Sequence, residues 1–194
     1  MALGYKPQVI AICGNAGHGK DAFAFRLLEQ LQKEGEDVDV FALADPLKQT
    51  VSKLLNIPLA DFYTEEGKNS KPFGNDKTLR DALVEISATL KVFQPDIWLD
   101  KAVERCQFAG LTVITDVRNL KEEAHLRQHT NLFLIKVLRP DPPYPAETYL
   151  TEMEVQVPLL TPDIVIDNEG TLEELAEKAR KVAKTFRQIK RGFA

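Results

Sequence analysis

Apolar residues along this chain fall into two alternating patterns. Short unbroken runs end in glycine or aspartate, and between them lie stretches with apolar residues three and four apart. The first run, residues 9–13, reads as a buried strand closed by glycines. Phe23, Leu27, Leu28 and Leu31 then recur at helical spacing, which predicts a helix over 21–33 that Gly35 stops. A second strand is expected over 38–44. The pair Asp45-Pro46 opens a helix to residue 55, with proline at the first helical position, where its missing N–H costs nothing.

Residues 57–77 break the alternation. Pro58, Gly67, Pro72 and Gly74 interrupt them, with Lys68, Lys71 and Lys77 between, so a mobile basic connection is expected. Thr78 with Asp81 resembles a capping box. Leu79, Leu83, Ile86, Leu90 and Phe93 follow as the apolar face of an amphipathic helix. Pro95 ends that pattern, and Asp96 is placed to cap a helix running to residue 108. A third strand, 111–115, ends in Asp116-Val117-Arg118. Asn119 and Glu122 then read as the cap of a short helix to residue 128. A fourth strand over 131–138 ends at Arg139, and the proline-rich stretch 140–162 reads as a lid or surface excursion. A fifth strand over 164–166 is followed by a last helix, capped by Thr171 and Glu174 and reaching residue 190.

Strands alternating with helices predict an α/β fold: about five parallel strands with helices on both faces. The 194 residues suit one domain over 1–194 with a full core. Net charge is -4, which argues against a nucleic-acid polymer as partner but not against a single nucleotide. Two cysteines, Cys13 and Cys106, suggest a reduced protein rather than a disulfide framework. Residues 1–7 lack the apolar core of a signal peptide, and no apolar run approaches the roughly 20 residues of a membrane span. The expectation is a cytoplasmic protein without membrane contact, monomeric or a homodimer.

The chemistry concentrates in Gly14-Asn15-Ala16-Gly17-His18-Gly19-Lys20-Asp21. This segment fits G-x-x-x-x-G-K, sits after a buried strand and opens a helix. Its glycines let successive N–H groups turn toward one point, the helix N-terminus adds its dipole, and Lys20 can reach the β- and γ-phosphates of ATP. Asp21 stands where Ser or Thr usually binds Mg²⁺. Its carboxylate either holds the metal or complements the helix dipole. Asp116, at the end of an apolar strand, has the form of a carboxylate that orients Mg²⁺, or else of a simple turn cap. Arg118 lies at the same edge, where its planar fork suits a phosphoryl group, the alternative being an ion pair with Glu122 or Asp45. Asp45 reads equally as an N-cap. Lys48, one turn on, either binds a substrate phosphate or faces water. Trp98 is expected in the core, with stacking on a base as the lesser option. Arg80 is solvated or turned into a cleft, and His18 is expected to contribute backbone only.

Four segments resemble the bacteriophage-type deoxynucleoside monophosphate kinases, within the wider nucleoside monophosphate kinase group of P-loop proteins. They are 14–21 with its Lys-Asp pair; Phe41-Ala42-Leu43-Ala44-Asp45-Pro46-Leu47-Lys48; Pro95-Asp96-Ile97-Trp98 on to Thr115-Asp116-Val117-Arg118; and 163–172, centred on Asp167-Asn168-Glu169-Gly170-Thr171. The resemblance implies ATP- and Mg²⁺-dependent phosphoryl transfer to a (deoxy)nucleoside monophosphate, in the host cytoplasm if the protein is phage-encoded. It implies that Lys20 and the loop hold the ATP phosphates, that Asp45, Lys48 and the stretch through Arg80 lie toward the monophosphate, and that Asn168 flanks the adenine. Residues 45–95 would form the monophosphate-binding insertion, closing inward with Arg80 and Lys68 or Lys71. Residues 139–162 would form a lid beginning at Arg139, which with Lys20, Asp116 and Arg118 would serve the transfer itself. The chain departs from the family in carrying Ala22 after Lys20-Asp21, and Asn119-Leu120-Lys121-Glu122 after Arg118. The alternatives are a P-loop kinase of another small acceptor, such as dephospho-coenzyme A or phosphomevalonate, and a non-catalytic nucleotide-binding module.

Overall fold

A computed structural model describes residues 6–140 and 154–192. The middle of the lid-like stretch, 141–153, lies outside them. Five strands and seven helices follow in chain order among the described residues: β1 (Gln8–Cys13), α1 (Lys20–Lys33), β2 (Val38–Phe41), α2 (Asp45–Leu55), α3 (Glu65–Asn69), α4 (Leu79–Phe93), α5 (Ile97–Cys106), β3 (Leu111–Val117), α6 (Leu120–His129), β4 (Asn131–Leu138), β5 (Ile164–Asp167) and α7 (Leu172–Gly192). The strands form one sheet in the order β2-β3-β1-β4-β5. Every pairing is parallel, as expected. The chain divides into two compact units, one made of Met1–Ala42 with Val103–Ala194, the other of Leu43–Ala102.

The first unit is built on β1, the central strand. Ile10 and Ile12 join a core with Phe23, Leu27 and Leu31 of α1 and Val182, Ala183 and Phe186 of α7. Val9, Ala11 and Cys13 point the other way and are also fully buried. A strand buried on both faces needs a continuous apolar run, which is why the run 9–13 was legible. β1 leads on to β2 on one side of the sheet while its neighbour β4 leads on to β5 on the other. Carboxyl ends of strands whose connections diverge in this way border the crevice where such sheets bind ligands. β2 stops at Phe41 rather than at the expected residue 44. Arg105, at the end of α5, donates to both carboxylate oxygens of Asp39 at 2.6 and 2.7 Å and lies 4.3 Å from the Phe41 ring centroid. Near the C-terminus, Arg187 pairs with Glu34 at 3.3 Å and so ties α7 to the end of α1.

The described end of the lid-like stretch is fastened down. Thr161 donates its N–H at 3.1 Å and its hydroxyl to Glu123, a buried carboxylate on α6. Lys136 donates to the Val157 carbonyl at 3.1 Å. Val157 and Leu160 are buried, so residues 154–162 form a docked 3-10 turn and connection rather than a free excursion.

The second unit holds its own small core of Val51, Phe62 and Leu79, with Leu47, Leu55, Ile57, Phe73, Leu83 and Ile86 packed around it. Phe62 sits in a 3-10 turn, Leu59–Phe62, inside the stretch expected to be a mobile connection. That stretch supplies three core residues, Ile57, Phe62 and Phe73. Scattered singly between glycines and prolines, they make no periodic pattern that sequence alone could read. The Thr78–Asp81 capping box forms as expected. Phe93, assigned to the apolar face of α4, is 82% exposed because the helix's last turn runs past the core. No helix among the described residues is long and apolar enough to cross a membrane.

Candidate functional site

The segment between β1 and α1 turns on its glycines. Gly14, Gly17 and Gly19 have φ of 146°, 74° and 85°, a region that L side chains rarely adopt. A Cβ on Gly14 would come 2.4 Å from the Val137 carbonyl oxygen, so β4 leaves no room for a side chain there. Gly19 is the N-cap of the 14-residue α1 and, lacking a side chain, caps nothing. The first N–H groups of the helix therefore have no side-chain partner from the cap, and they bring the positive end of the dipole to the loop. Lys20, the first helical residue, folds its Nζ back onto the Asn15 carbonyl at 2.8 Å. The Asn15 side-chain oxygen is buried without a hydrogen-bond partner. With the carboxamide turned over, two N–H donors would occupy that place.

Two side chains brace the loop from outside. His18 Nδ1 donates to the Val137 carbonyl at 3.3 Å, so the imidazole contributes more than the backbone role expected of it. A carbonyl only accepts, which places a proton on Nδ1. Asn168, just past β5, donates from Nδ2 to the His18 carbonyl at 3.0 Å, and its own N–H bonds to Leu138 at 2.7 Å. The residue expected beside an adenine thus buttresses the glycine loop in this structure.

β3 runs two residues further than expected, to Val117, and its pairing with β1 slips between Ala11↔Ile114 and Cys13↔Val117. One extra residue of β3 bulges there. A bulge bends its strand and re-aims the neighbouring side chain, here Asp116. The turn that follows is held by Glu122, whose Oε2 accepts the N–H groups of Arg118 at 2.7 Å and Asn119 at 3.3 Å. Asn119 Oδ1 accepts the Glu122 N–H in return at 2.9 Å. The expected cap is therefore real, and it also fixes the chain leaving Asp116. Glu122 is engaged through the Arg118 backbone; among the described residues the guanidinium itself has no ion pair. Arg139 is exposed directly after β4. Asp21 is exposed in the first turn of α1, which leaves both of its readings open. Cys13 and Cys106 are free and buried, each thiol pushed up to about 11, first of all by burial, and take no part.

Burial pushes the Glu122 carboxyl above its ordinary 4.5; the Arg118 N–H offsets part of this and the charge of Asp116 adds to it. A carboxyl raised on folding stabilises below its unfolded value and loses that contribution as pH rises through the folded value. Glu122→Gln keeps an acceptor and removes the titration. The melting temperature of the variant relative to wild type is expected to climb as pH rises from 4.5 toward neutrality, and a pH series of thermal melts checks it. A pH-independent difference would show that Glu122 is not a strained carboxylate.

In the second unit, Asp45 is only 9% exposed and does not cap α2: the N-cap is Ala44, without a side-chain bond. Its Oδ1 instead accepts the Tyr63 hydroxyl at 2.8 Å and lies 3.3 Å from Lys48 Nζ. Lys48 Nζ also sits 4.1 Å from the Tyr63 ring centroid. Tyr63 was not among the sequence candidates, since nothing local marks a tyrosine as the partner of an aspartate 18 residues away. Trp98 is 8% exposed, with its indole N–H donated to Ser87 at 2.9 Å, so core packing and not base stacking describes it. Lys68 and Arg80 both pair with Glu65, at 2.9 and 2.8 Å, and the Lys68 hydrogen bond, then the two positive charges, lower the Glu65 carboxyl. Lys71 pairs with Asp76 at 3.1 Å. These cations, read as inward-reaching, are satisfied within their own stretch in this structure.

No protein-family model and no curated protein matches this sequence. Solved structures do. The dephospho-CoA kinase from Campylobacter jejuni superposes with a TM-score of 0.54 at 14% identity, covering 96% of this chain and 98% of that one. The Mycobacterium tuberculosis APS kinase in complex with AMPPNP and APS gives 0.50 at 12% identity, covering 93% and 99%. Identities this low speak for architecture, and the five-stranded parallel sheet with its helices is the P-loop kinase fold.

Proposed function

We propose that this protein transfers the γ-phosphoryl group of ATP to a (deoxy)nucleoside monophosphate. The observation that carries the reading is the loop 14–20. It combines three left-handed glycines, an N-terminus of α1 without a side-chain cap, and a lysine at the first helical position. Phosphoryl transfer asks a protein mainly to position reactants and to neutralise charge, and this loop is suited to both.

In this reading the loop N–H groups and Lys20 take the ATP phosphates, and Lys20 leaves the Asn15 carbonyl to do so. Arg118 and Arg139 approach the transferring group, and Asn168 keeps the loop in shape beside the adenine. No group of three or more His, Cys, Asp or Glu side chains placed to hold a metal ion exists among the described residues. The two carboxylates Asp21 and Asp116 are nonetheless hard oxygen donors of the number that Mg²⁺ takes from protein when nucleotide phosphates complete its shell. Bound there with ATP, the ion would supply charge neutralisation at the β- and γ-oxygens. The unit Leu43–Ala102, which contains the span 45–95, serves as the acceptor-binding insertion. Asp45 and Lys48 lie toward the acceptor phosphate, with Arg80 and Lys68 exchanging Glu65 for it on closure. Of the span 139–162 proposed as the lid, the described end at 154–162 serves as its anchor against α6.

ADP release, measured with Mg²⁺ across all ribo- and deoxyribonucleoside monophosphates, tests the reading. Turnover is expected with one or a few of them and not with free nucleosides. Turnover confined to dephospho-coenzyme A or phosphomevalonate would move the acceptor to another class. ATP binding with no turnover on any acceptor would leave a nucleotide-binding module.

A further inference from the structure

The trio Asp45, Lys48 and Tyr63 lies within one unit and is drawn together from α2 and the chain just past the 3-10 turn Leu59–Phe62. An ammonium carries three N–H donors. Among the described residues Lys48 finds one acceptor, Asp45 Oδ1 at 3.3 Å, and one ring face, Tyr63 at 4.1 Å. Its side chain is only 15% exposed, so the remaining donor capacity is largely withdrawn from water. A half-buried cation with donors to spare suits an anion.

The carboxylate beside it would repel that anion, and here Tyr63 matters. Its hydroxyl takes up the same Oδ1 at 2.8 Å, a shorter and better bond than the 3.3 Å contact from Lys48. A hydrogen bond to a charged acceptor is among the stronger ones, and it drains charge from the oxygen that Lys48 faces. The ring meanwhile holds the ammonium from a second side through its quadrupole.

We infer that Tyr63 is a positioning residue of the acceptor site, keeping Lys48 available to the phosphate monoester of the substrate by occupying Asp45. The inference rests on the proposed monophosphate kinase reading and deepens it. Without the hydroxyl, the existing 3.3 Å pair of Lys48 with Asp45 tightens and holds the ammonium back from the anion. Without the ring as well, the ammonium loses its second support.

The test uses the full chain, with Tyr63→Phe and Tyr63→Leu. Steady-state kinetics use the monophosphate that turns over best. KM for that acceptor is expected to rise about 3- to 10-fold in Tyr63→Phe and further in Tyr63→Leu, with KM for ATP within about twofold of wild type. The phenylalanine variant keeps the ring and its packing, so a graded series reports the contacts rather than the fold. A second readout needs no turnover: labelling of Lys48 by a limiting amine-reactive reagent, followed by mass spectrometry at increasing concentrations of each nucleoside monophosphate. Half-protection in wild type is expected to shift upward in Tyr63→Phe by the same factor as KM. Unchanged acceptor KM and unchanged Lys48 protection in both variants would overturn the role of Tyr63 while leaving an active kinase intact. Protection that shifts in a protein with no turnover would overturn the kinase reading and leave the anion site standing.

Discussion

Lys20→Ala is expected to lower kcat about 100- to 1,000-fold, the loss usual when one preorganised charge is removed from a reacting centre. The effect should be large because no neighbour can substitute. Lys20 is the only lysine or arginine in the segment 14–21, and its ammonium already lies over the loop, bonded to the Asn15 carbonyl. Fold and function separate cleanly at this residue. Lys20 is not part of the core built from Phe23, Leu27 and Leu31 on the same helix, so melting temperature and circular dichroism should stay near wild type. Removing the ammonium leaves the Asn15 carbonyl with the His18 N–H at 3.3 Å, and water can take the place of the lysine. Near-normal turnover in a natively folded Lys20→Ala protein would refute a P-loop mechanism.

Asp116→Asn is expected to lower kcat about 100-fold while changing ATP affinity little. A carboxylate that orients the metal counts most as charge shifts during transfer, and less in the ground state. The substitution is nearly isosteric, so the β3 bulge and the Glu122-held turn after it should survive. It also removes the negative charge that helps raise the Glu122 carboxyl, which should relax toward its ordinary value. Equilibrium ATP binding beside single-turnover rates checks the split. Equal loss of binding and rate would assign Asp116 to ground-state contact, and a fall in melting temperature alone would make it a structural residue.

What could be read from the sequence was what is local or periodic. The capping boxes Thr78–Asp81 and Asn119–Glu122 close over three residues and formed as expected. β4 occupies the expected span because residues 132–138 are apolar but for Lys136. The readings that shifted involve partners far along the chain. Asp45 before Pro46 has the local chemistry of a cap, and a tyrosine 18 residues away outcompetes that use. His18 looked like a spacer because its acceptor, the Val137 carbonyl, lies 119 residues downstream. Phe62 carries no periodic signal, since it stands beside Tyr63 in a short stretch between Pro58 and Gly67 and becomes core only once Val51 and Leu79 close over it. The loop motif itself was legible because strand, glycines, lysine and helix are contiguous; its braces were not.

Those braces bear on how the molecule is made. A ribosome delivers the chain from its N-terminus, and the glycine loop emerges before the residues that brace it. Its anchors come late: Val137 lies on the fourth strand, and Asn168 follows the loop residue it holds by 150 positions. A nascent chain halted before residue 168 carries the whole motif without the Asn168 brace. Ligands stabilise only the state that binds them. A ligand of this loop can therefore do nothing to secure the growing polypeptide until both braces are made, and the central strand must meanwhile wait for edge partners not yet synthesised.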